Sequence, residues 1–356
     1  MSSISWYFEP SEMELKNFLP LSNFEFKLMS KLIHVIRLGL HLHGLQCGQE
    51  DLTITDTSPA AVAQQCRSFV KKARVSWVNC DKFFPLRLTA PSMALIISHV
   101  PLSTSVSTTS VFKICVLRTF GVGSEEAIND LGITFKESTE SSSESEPDYD
   151  KIIAVISALG KGIKKITRPV YGQMQIARAS VPTMLEKFWV FAGKVMEKVE
   201  PGGPTQSFEE VYNLLCSFNI PTVPKHGLLA WLITSDLTEW EICKPPTIKT
   251  LARHMGVSSD GGSSSKRGGP SGPSKALVLV EQIYKEMVAK DGAEYVQPDV
   301  GAGLVNVWKV LEHPPVDAIW LEELMEECRK AQGRSISVID MEHLLCKIAR
   351  YTAKSR

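Results

Sequence analysis

Apolar residues that recur at helical spacing, with prolines between them, are the feature that most constrains the fold of this chain. From residue 151 onward the apolar positions repeat with a period near 3.6, and prolines separate most of the repeats. The pattern predicts helices at 151–168, 175–199, 206–218, 225–236, 247–255, 275–290, 302–312, 316–331 and 337–353. Such a pattern is typical of a mainly α protein.

The first half of the chain is more mixed. Helical spacing predicts a helix from Phe24 to about Leu45, a second helix from Ser58-Pro59 to Val70 and a short one at 124–131. Short runs at 75–78 and 95–99 read as strands, whereas the apolar run 111–117 fits either a strand or a buried helix. The expected fold class is therefore mainly α, with a few short strands in the first half.

The length of 356 residues suits two domains or one two-lobed unit. We expect an N-terminal arm at 1–21, an N-lobe at 22–172 and a C-lobe at 173–356. Residues 136–150 are acidic and rich in serine, which predicts an exposed loop, either a solvated connector or a phosphorylated segment. The Gly/Ser/Pro tract 257–274 predicts a mobile loop in the C-lobe.

Composition and motifs exclude several classes of protein. Eight cysteines are scattered without Cys-x-x-Cys or zinc-finger spacing, so they read as reduced core residues of a cytosolic or nuclear protein. The start of the chain lacks the features of a secretory signal, and no run approaches the roughly 20 apolar residues that span a bilayer. No nucleotide-binding, hydrolase, EF-hand or kinase motif is present, and His41 and His43 read as ordinary histidines. We therefore predict no catalytic residue, no metal and no cofactor.

Charge is distributed abruptly around residue 150, although the formal net charge of the chain is zero. Residues 125–150 hold nine acids and one lysine, whereas Lys151 to Leu185 contain only basic charges. If 151–168 is a helix, one face carries the cluster Lys161, Lys164, Lys165 and Arg168. A polyanion would relieve the repulsion among these charges, which makes this cluster the best candidate for binding nucleic acid.

Two further readings concern the same stretch. Tyr171 follows the break at Pro169 and could stack on a base. The alternative is a solvated basic face that pairs with the acidic segment before it.

The segment around this cluster resembles one in the nucleoproteins of rhabdoviruses. The opening Asp148-Tyr149-Asp150-Lys151-Ile152-Ile153-Ala154, the pair Lys164-Lys165 and then Tyr171-Gly172 are similar in order and approximate spacing to that family. Residues 115–131 look like the family's apolar helix, Val-Gly step and following helix. The loop 257–274 and the helix after it resemble, in architecture, the C-lobe loop by which such proteins hold the next subunit. A relative elsewhere among the non-segmented negative-strand RNA viruses fits equally well.

The resemblance implies a two-lobed helical nucleoprotein that encapsidates single-stranded RNA in a basic groove between its lobes. It implies self-assembly through the N-terminal arm and the 257–274 loop, a viral phosphoprotein and polymerase as further partners, and a place in the virion nucleocapsid and the host cytoplasm or nucleus. Lys164 and Lys165 are the RNA contacts that the motif carries over. Helical facing and local charge add Lys161, Arg168, Tyr171, Arg178, Lys225 and Arg118.

Two other classes of protein remain open. A helical adaptor that binds other proteins explains the neutral net charge more directly, and it predicts that the basic charges face bulk water. An enzyme without a recognisable motif is the third class, for which the sequence offers no metal, phosphate or nucleophile geometry.

Overall fold

A computed structural model of the chain describes most of the residues from 21 to 353. The described residues are 21–47, 81, 84–102, 105–139, 147–159, 165–167, 175–199, 204, 206–221, 223, 227–255, 284–285, 288–289 and 299–353. The predicted arm 1–21 apart from its last residue, the predicted helix from Ser58-Pro59 to Val70, the predicted strand 75–78 and the predicted loop 257–274 lie outside them.

Twelve α-helices account for most of this described part of the chain. They are α1 (Asn23–Gln46), α2 (Pro91–His99), α3 (Thr108–Val116), α4 (Glu125–Thr139), α5 (Tyr149–Ala158), α6 (Val181–Met196), α7 (Phe208–Ser217), α8 (Leu228–Glu239), α9 (Ile248–His254), α10 (Val300–Glu312), α11 (Ile319–Gln332) and α12 (Val338–Ala353). A π-helical turn, Leu117–Gly121, follows α3, and a 3₁₀ turn, Arg178–Ser180, precedes α6. Two short strands, β1 (Lys165–Thr167) and β2 (Gln175–Ala177), form an antiparallel pair. The mainly α prediction is confirmed.

Several local predictions are wrong. Residues 95–99 belong to helix α2, not to a strand. The second run, 111–117, fitted either a strand or a buried helix, and it is helical: it lies in α3 and the start of the π turn. Most of the second run is fully buried, and burial on all sides removes the period that separates helix from strand. The predicted acidic loop 136–150 is also shorter, because α4 continues to Thr139 and α5 begins at Tyr149 behind its N-cap, Asp148.

The chain divides into two compact units. The first contains α1, residues 84–89 and the helices from α9 to α12. The second contains Asp81 and the residues from Ala90 to Pro246. This division differs from the predicted boundary near residue 172, because α1 packs on helices that lie more than 200 residues away in the sequence.

Helix α1 forms the centre of the first unit. It contacts α10, α11 and α12, and its apolar residues, from Phe24 to Leu42, are largely buried. Gly39 lies against the ring of Pro85, where a Cβ would approach Pro85 Cγ to 2.5 Å. Asp340 of α12 accepts hydrogen bonds from the backbone N–H of Arg87 at 2.9 Å and from Arg334 at 2.6 Å. Residues 84–89 are therefore held between α1 and α12.

The second unit is built around α3, α6 and α8. Helix α3 packs along α6, and α8 contacts α3, α7 and the π turn. Aromatic rings fill the interior: Phe112 lies edge-on to Trp189 with centroids 5.6 Å apart, and Phe208 contacts Trp231 at 4.6 Å. Helix α4 rests on the π turn and on α2 and α5. Helix α5, the last helix before residues 161–178, is therefore held by its contacts with α4 and α6.

Local signals fix several helix ends. Ser207 and Glu210 form a capping box at the start of α7, while Asp299 and Thr247 cap α10 and α9. Gly333 ends α11 with a φ of 74°, a left-handed conformation in which glycine carries no steric penalty. Within the described residues, none of these helices combines the length and apolar character needed to cross a membrane.

Candidate nucleic-acid interface

The basic segment, residues 161–178, is not one helix. Helix α5 ends at Ala158, and Lys165 lies in strand β1 instead of on a helical face. The prediction of a helix through 168, with Lys161, Lys164, Lys165 and Arg168 on one face, is therefore wrong. Gly160 and Gly162 weaken a helix at this point, and Ile163, Ile166, Thr167 and Val170 are β-branched residues that favour a strand.

The strand pairing brings two basic positions to the same end of the hairpin. Lys165 pairs with Ala177, Ile166 with Ile176, and Thr167 with Gln175. Arg178 follows Ala177 directly and begins the 3₁₀ turn. Two predicted RNA-contacting residues that are 13 positions apart in sequence therefore lie close in the backbone, at the open end of the hairpin.

The hairpin is anchored on the interior of the second unit. Ile176 is fully buried, whereas Ala177 is exposed, so β2 presents one buried and one exposed face. The 3₁₀ turn leads into α6, whose apolar face is buried against α3 and α5. Arg178 is half-buried at this junction. The packing of β2 and α6 therefore fixes the backbone position of Arg178.

Other predicted contacts cannot be placed. Lys161, Lys164, Arg168, Tyr171 and Lys225 lie outside the described residues. Lys151, at the start of the same basic stretch, is exposed on α5 and forms an ion pair with Asp148 at 3.3 Å. This last contact matches the alternative reading in which a basic residue pairs with the acidic segment before it.

The structure corrects the prediction that Arg118 contacts RNA. Its guanidinium is buried in the second unit, where Nη2 donates to Asp236 Oδ1 at 2.6 Å and Nε donates to Oδ2 of the same carboxylate. Nη2 also lies 3.3 Å from Met93 Sδ. Because the charge is already held by a fully buried carboxylate, Arg118 serves the interior of the protein and is not carried into the RNA site.

Sequence reasoning missed this ion pair, although a signal was present. The apolar run from Val111 to Val122 contains two basic residues, Lys113 and Arg118, and no acid, and Asp236 is the first charge in the apolar helix α8. A basic residue in one apolar run and an acidic residue in another indicate an ion pair, because burying either charge without a partner costs too much free energy.

A second buried polar network, around Asp340, was also missed. Burial by itself would raise the pKa of this carboxyl, but Arg334 and hydrogen bonds from the backbone of Arg87 and Ser337 outweigh it, so the pKa of Asp340 is lowered. Arg87 Nη1 lies 3.0 Å from Nε2 of His343 in the same network. The arrangement ties Arg87 and Ser337 to Asp340 in the first unit.

Residues that could support metal chemistry do not converge in the described ranges. No group of three or more His, Cys, Asp or Glu side chains there is placed to hold a metal ion. His41 is buried, and the Nε2 of His43 lies 3.7 Å from the exposed Sγ of Cys47. Burial lowers the pKa of His43.

Comparisons with known proteins add no relative. No known protein family matches this sequence, and neither the curated proteins nor the solved structures contain a match. The basic hairpin therefore has to be interpreted from its own residues.

Proposed function

We propose that this chain is a non-enzymatic nucleoprotein that binds the phosphates of single-stranded RNA through its basic segment. The observation that carries the proposal is the hairpin, which brings Lys165 and Arg178 together within a segment that has five basic residues and no acid. Phosphate contacts of this kind give affinity with little sequence preference. Tyr171 would add stacking on a base.

In this proposal Lys161, Lys164 and Arg168, which flank β1 in the sequence, also contact RNA phosphates. The resemblance to nucleoproteins supports assembly of several copies along one RNA, with the N-terminal arm and the 257–274 loop as the exchanged segments. A virion nucleocapsid in the host cytoplasm or nucleus, together with a viral phosphoprotein and polymerase, belongs to the same proposal. Repeated head-to-tail contacts between copies would give rings or helical filaments.

The first prediction concerns Lys164 and Lys165. Replacing both with Ala should weaken binding of a labelled oligouridylate by about tenfold at about 0.1 M salt, because two phosphate contacts are lost. The slope of log affinity against log salt should become shallower by about 1.4, which is two contacts at about 0.7 each. Fluorescence anisotropy across a salt series measures both quantities.

The matched control is K249A/K309A. Both lysines are exposed on helices α9 and α10 of the first unit, so this variant removes the same net charge away from the hairpin. Its affinity should stay within about twofold of that of the unaltered protein. Equal losses in the two variants would contradict a local site, and failure of the unaltered protein to bind RNA at low salt would favour the adaptor.

A further inference from the structure

The two most exposed large apolar side chains among the described residues are three positions apart in the sequence of the first unit. Val316 is 89% exposed and Ile319 is 63% exposed. They occupy the connection between α10 and α11 and the first residue of α11. A partner that covered both side chains would bury apolar surface that is now in contact with water, which favours association.

The backbone that carries Val316 and Ile319 is fixed by a hydrogen bond and by buried neighbours. The backbone N–H of Ala318 donates to the carbonyl of Pro315 at 2.8 Å, and the Ala318 side chain is fully buried. Leu321, Leu324 and Cys328 are buried on one side of α11, and this helix packs on α1. Ile319, Glu322 and Glu323 therefore share the opposite face, at positions i, i+3 and i+4.

The charge around this face has one sign. From Val310 to Cys328 the chain has six acidic residues and no Lys or Arg. Glu326 is held by Arg329 at 2.5 Å, and Glu327 is partly withdrawn from solvent, which raises its pKa. The other four, Glu312, Asp317, Glu322 and Glu323, are exposed, and each lies within four positions of Val316 or Ile319 in the sequence. We call Val316, Ile319 and these four acids the acidic apolar face.

We propose that the acidic apolar face docks a basic amphipathic helix of another protein. Four carboxylates around two apolar side chains repel RNA phosphates and anionic lipids, so a polyanion is disfavoured as the occupant. An amphipathic helix with lysine or arginine beside leucine-type anchors matches both the charge and the apolar contact. Because the face lies in the first unit and the basic hairpin in the second, this inference is independent of RNA binding.

The test uses the full chain and a fluorescent helical peptide of lysine and leucine in amphipathic order, with a glutamate and leucine peptide of the same pattern as the reference. Anisotropy should show at least about tenfold tighter binding of the lysine peptide. V316S/I319S should weaken that binding about tenfold, and E322Q/E323Q should weaken it about fivefold and flatten its salt dependence. Circular dichroism verifies that each variant keeps its helical content.

The matched control is I133S/V190S, which removes two other exposed apolar side chains, 53% and 49% exposed, from the second unit. This variant should bind the lysine peptide like the unaltered protein. Equal weakening by the control, or binding unchanged in V316S/I319S, would overturn the proposal. A dimer in light scattering that V316S/I319S abolishes would also overturn it, since the face would then join two copies of this chain.

Discussion

Single charged residues in this protein gain their roles from what surrounds them. Arg118 and Lys165 are both basic residues close to apolar neighbours in the sequence, yet Arg118 is buried on Asp236 while Lys165 stands in a hairpin strand. An ion pair in the interior gains coulombic energy but loses the hydration of both groups. The net contribution of such a pair to the free energy of unfolding is therefore small, whereas the loss of either partner alone destabilises the fold strongly.

A double-mutant cycle tests this balance. R118M and D236L should each lower the free energy of unfolding by about 3–5 kcal/mol, because each leaves one buried charge without its partner. The combined R118M/D236L variant should lose much less than the sum of the two. Urea denaturation gives the three values, and additive losses would show that the two residues do not act as a pair. R329A, which breaks the exposed pair with Glu326, should leave stability unchanged within error.

At the scale of the element, apolar spacing predicted most helices well. Helices α7, α9, α10 and α12 begin and end within about two residues of the expected positions, because each buries one clear stripe. The spacing left helix and strand open where burial is complete, as in α3, and it predicted the wrong element where β-branched residues and glycines compete with a helical pattern, as in β1. The predicted RNA-contact face was wrong for the same reason as the helix at 151–168, because four basic residues share one face only if that segment is helical.

Two glycines within helices give opposite predictions. A Cβ at Gly132 of α4 would overlap the ring of His99, whereas a Cβ at Gly193 of α6 meets nothing within 4 Å. G132A should therefore lose about 1–3 kcal/mol of stability by overpacking. G193A should gain about 0.5–1 kcal/mol, because alanine restricts the unfolded chain more than glycine does.

Thermal and urea unfolding compare these variants. G132A/H99A should regain part of the loss, since the clashing ring is removed. A stabilised G132A would mean that His99 moves aside without cost.

At the scale of the whole molecule, the sequence gives composition and local pattern but not which distant helices meet. The predicted boundary near residue 172 placed α1 in a different lobe from α10, α11 and α12, whereas α1 packs on these three helices. The first unit also contains close fits between distant residues, such as the approach of Gly39 to the Pro85 ring and the hydrogen bond from the backbone N–H of Arg87 to Asp340, and no periodicity reveals such matches.

The division predicts different behaviour for two fragments. Residues 73–246 contain the whole second unit and should fold alone, with cooperative urea unfolding and native-like circular dichroism. Residues 247–356 lack α1 and should not, because α10, α11 and α12 lose the apolar surface on which they pack. Adding a separate peptide of residues 21–47 should restore helical structure to the second fragment. A cooperative transition in 247–356 alone would contradict this account.

The wide separation of α1 from its packing partners also sets the order of events on the ribosome. Helix α1 ends at Gln46 and α12 at Ala353, about 300 residues later. At about 5–20 residues per second, the ribosome needs about 15–60 s after α1 to synthesise α12, the last helix on which α1 packs. Once Pro246 has been synthesised, about a third of that time remains, in which the second unit can fold while α1 still lacks the helices on which it packs. A chaperone that holds short apolar helices would therefore act on this protein at its N-terminal helix.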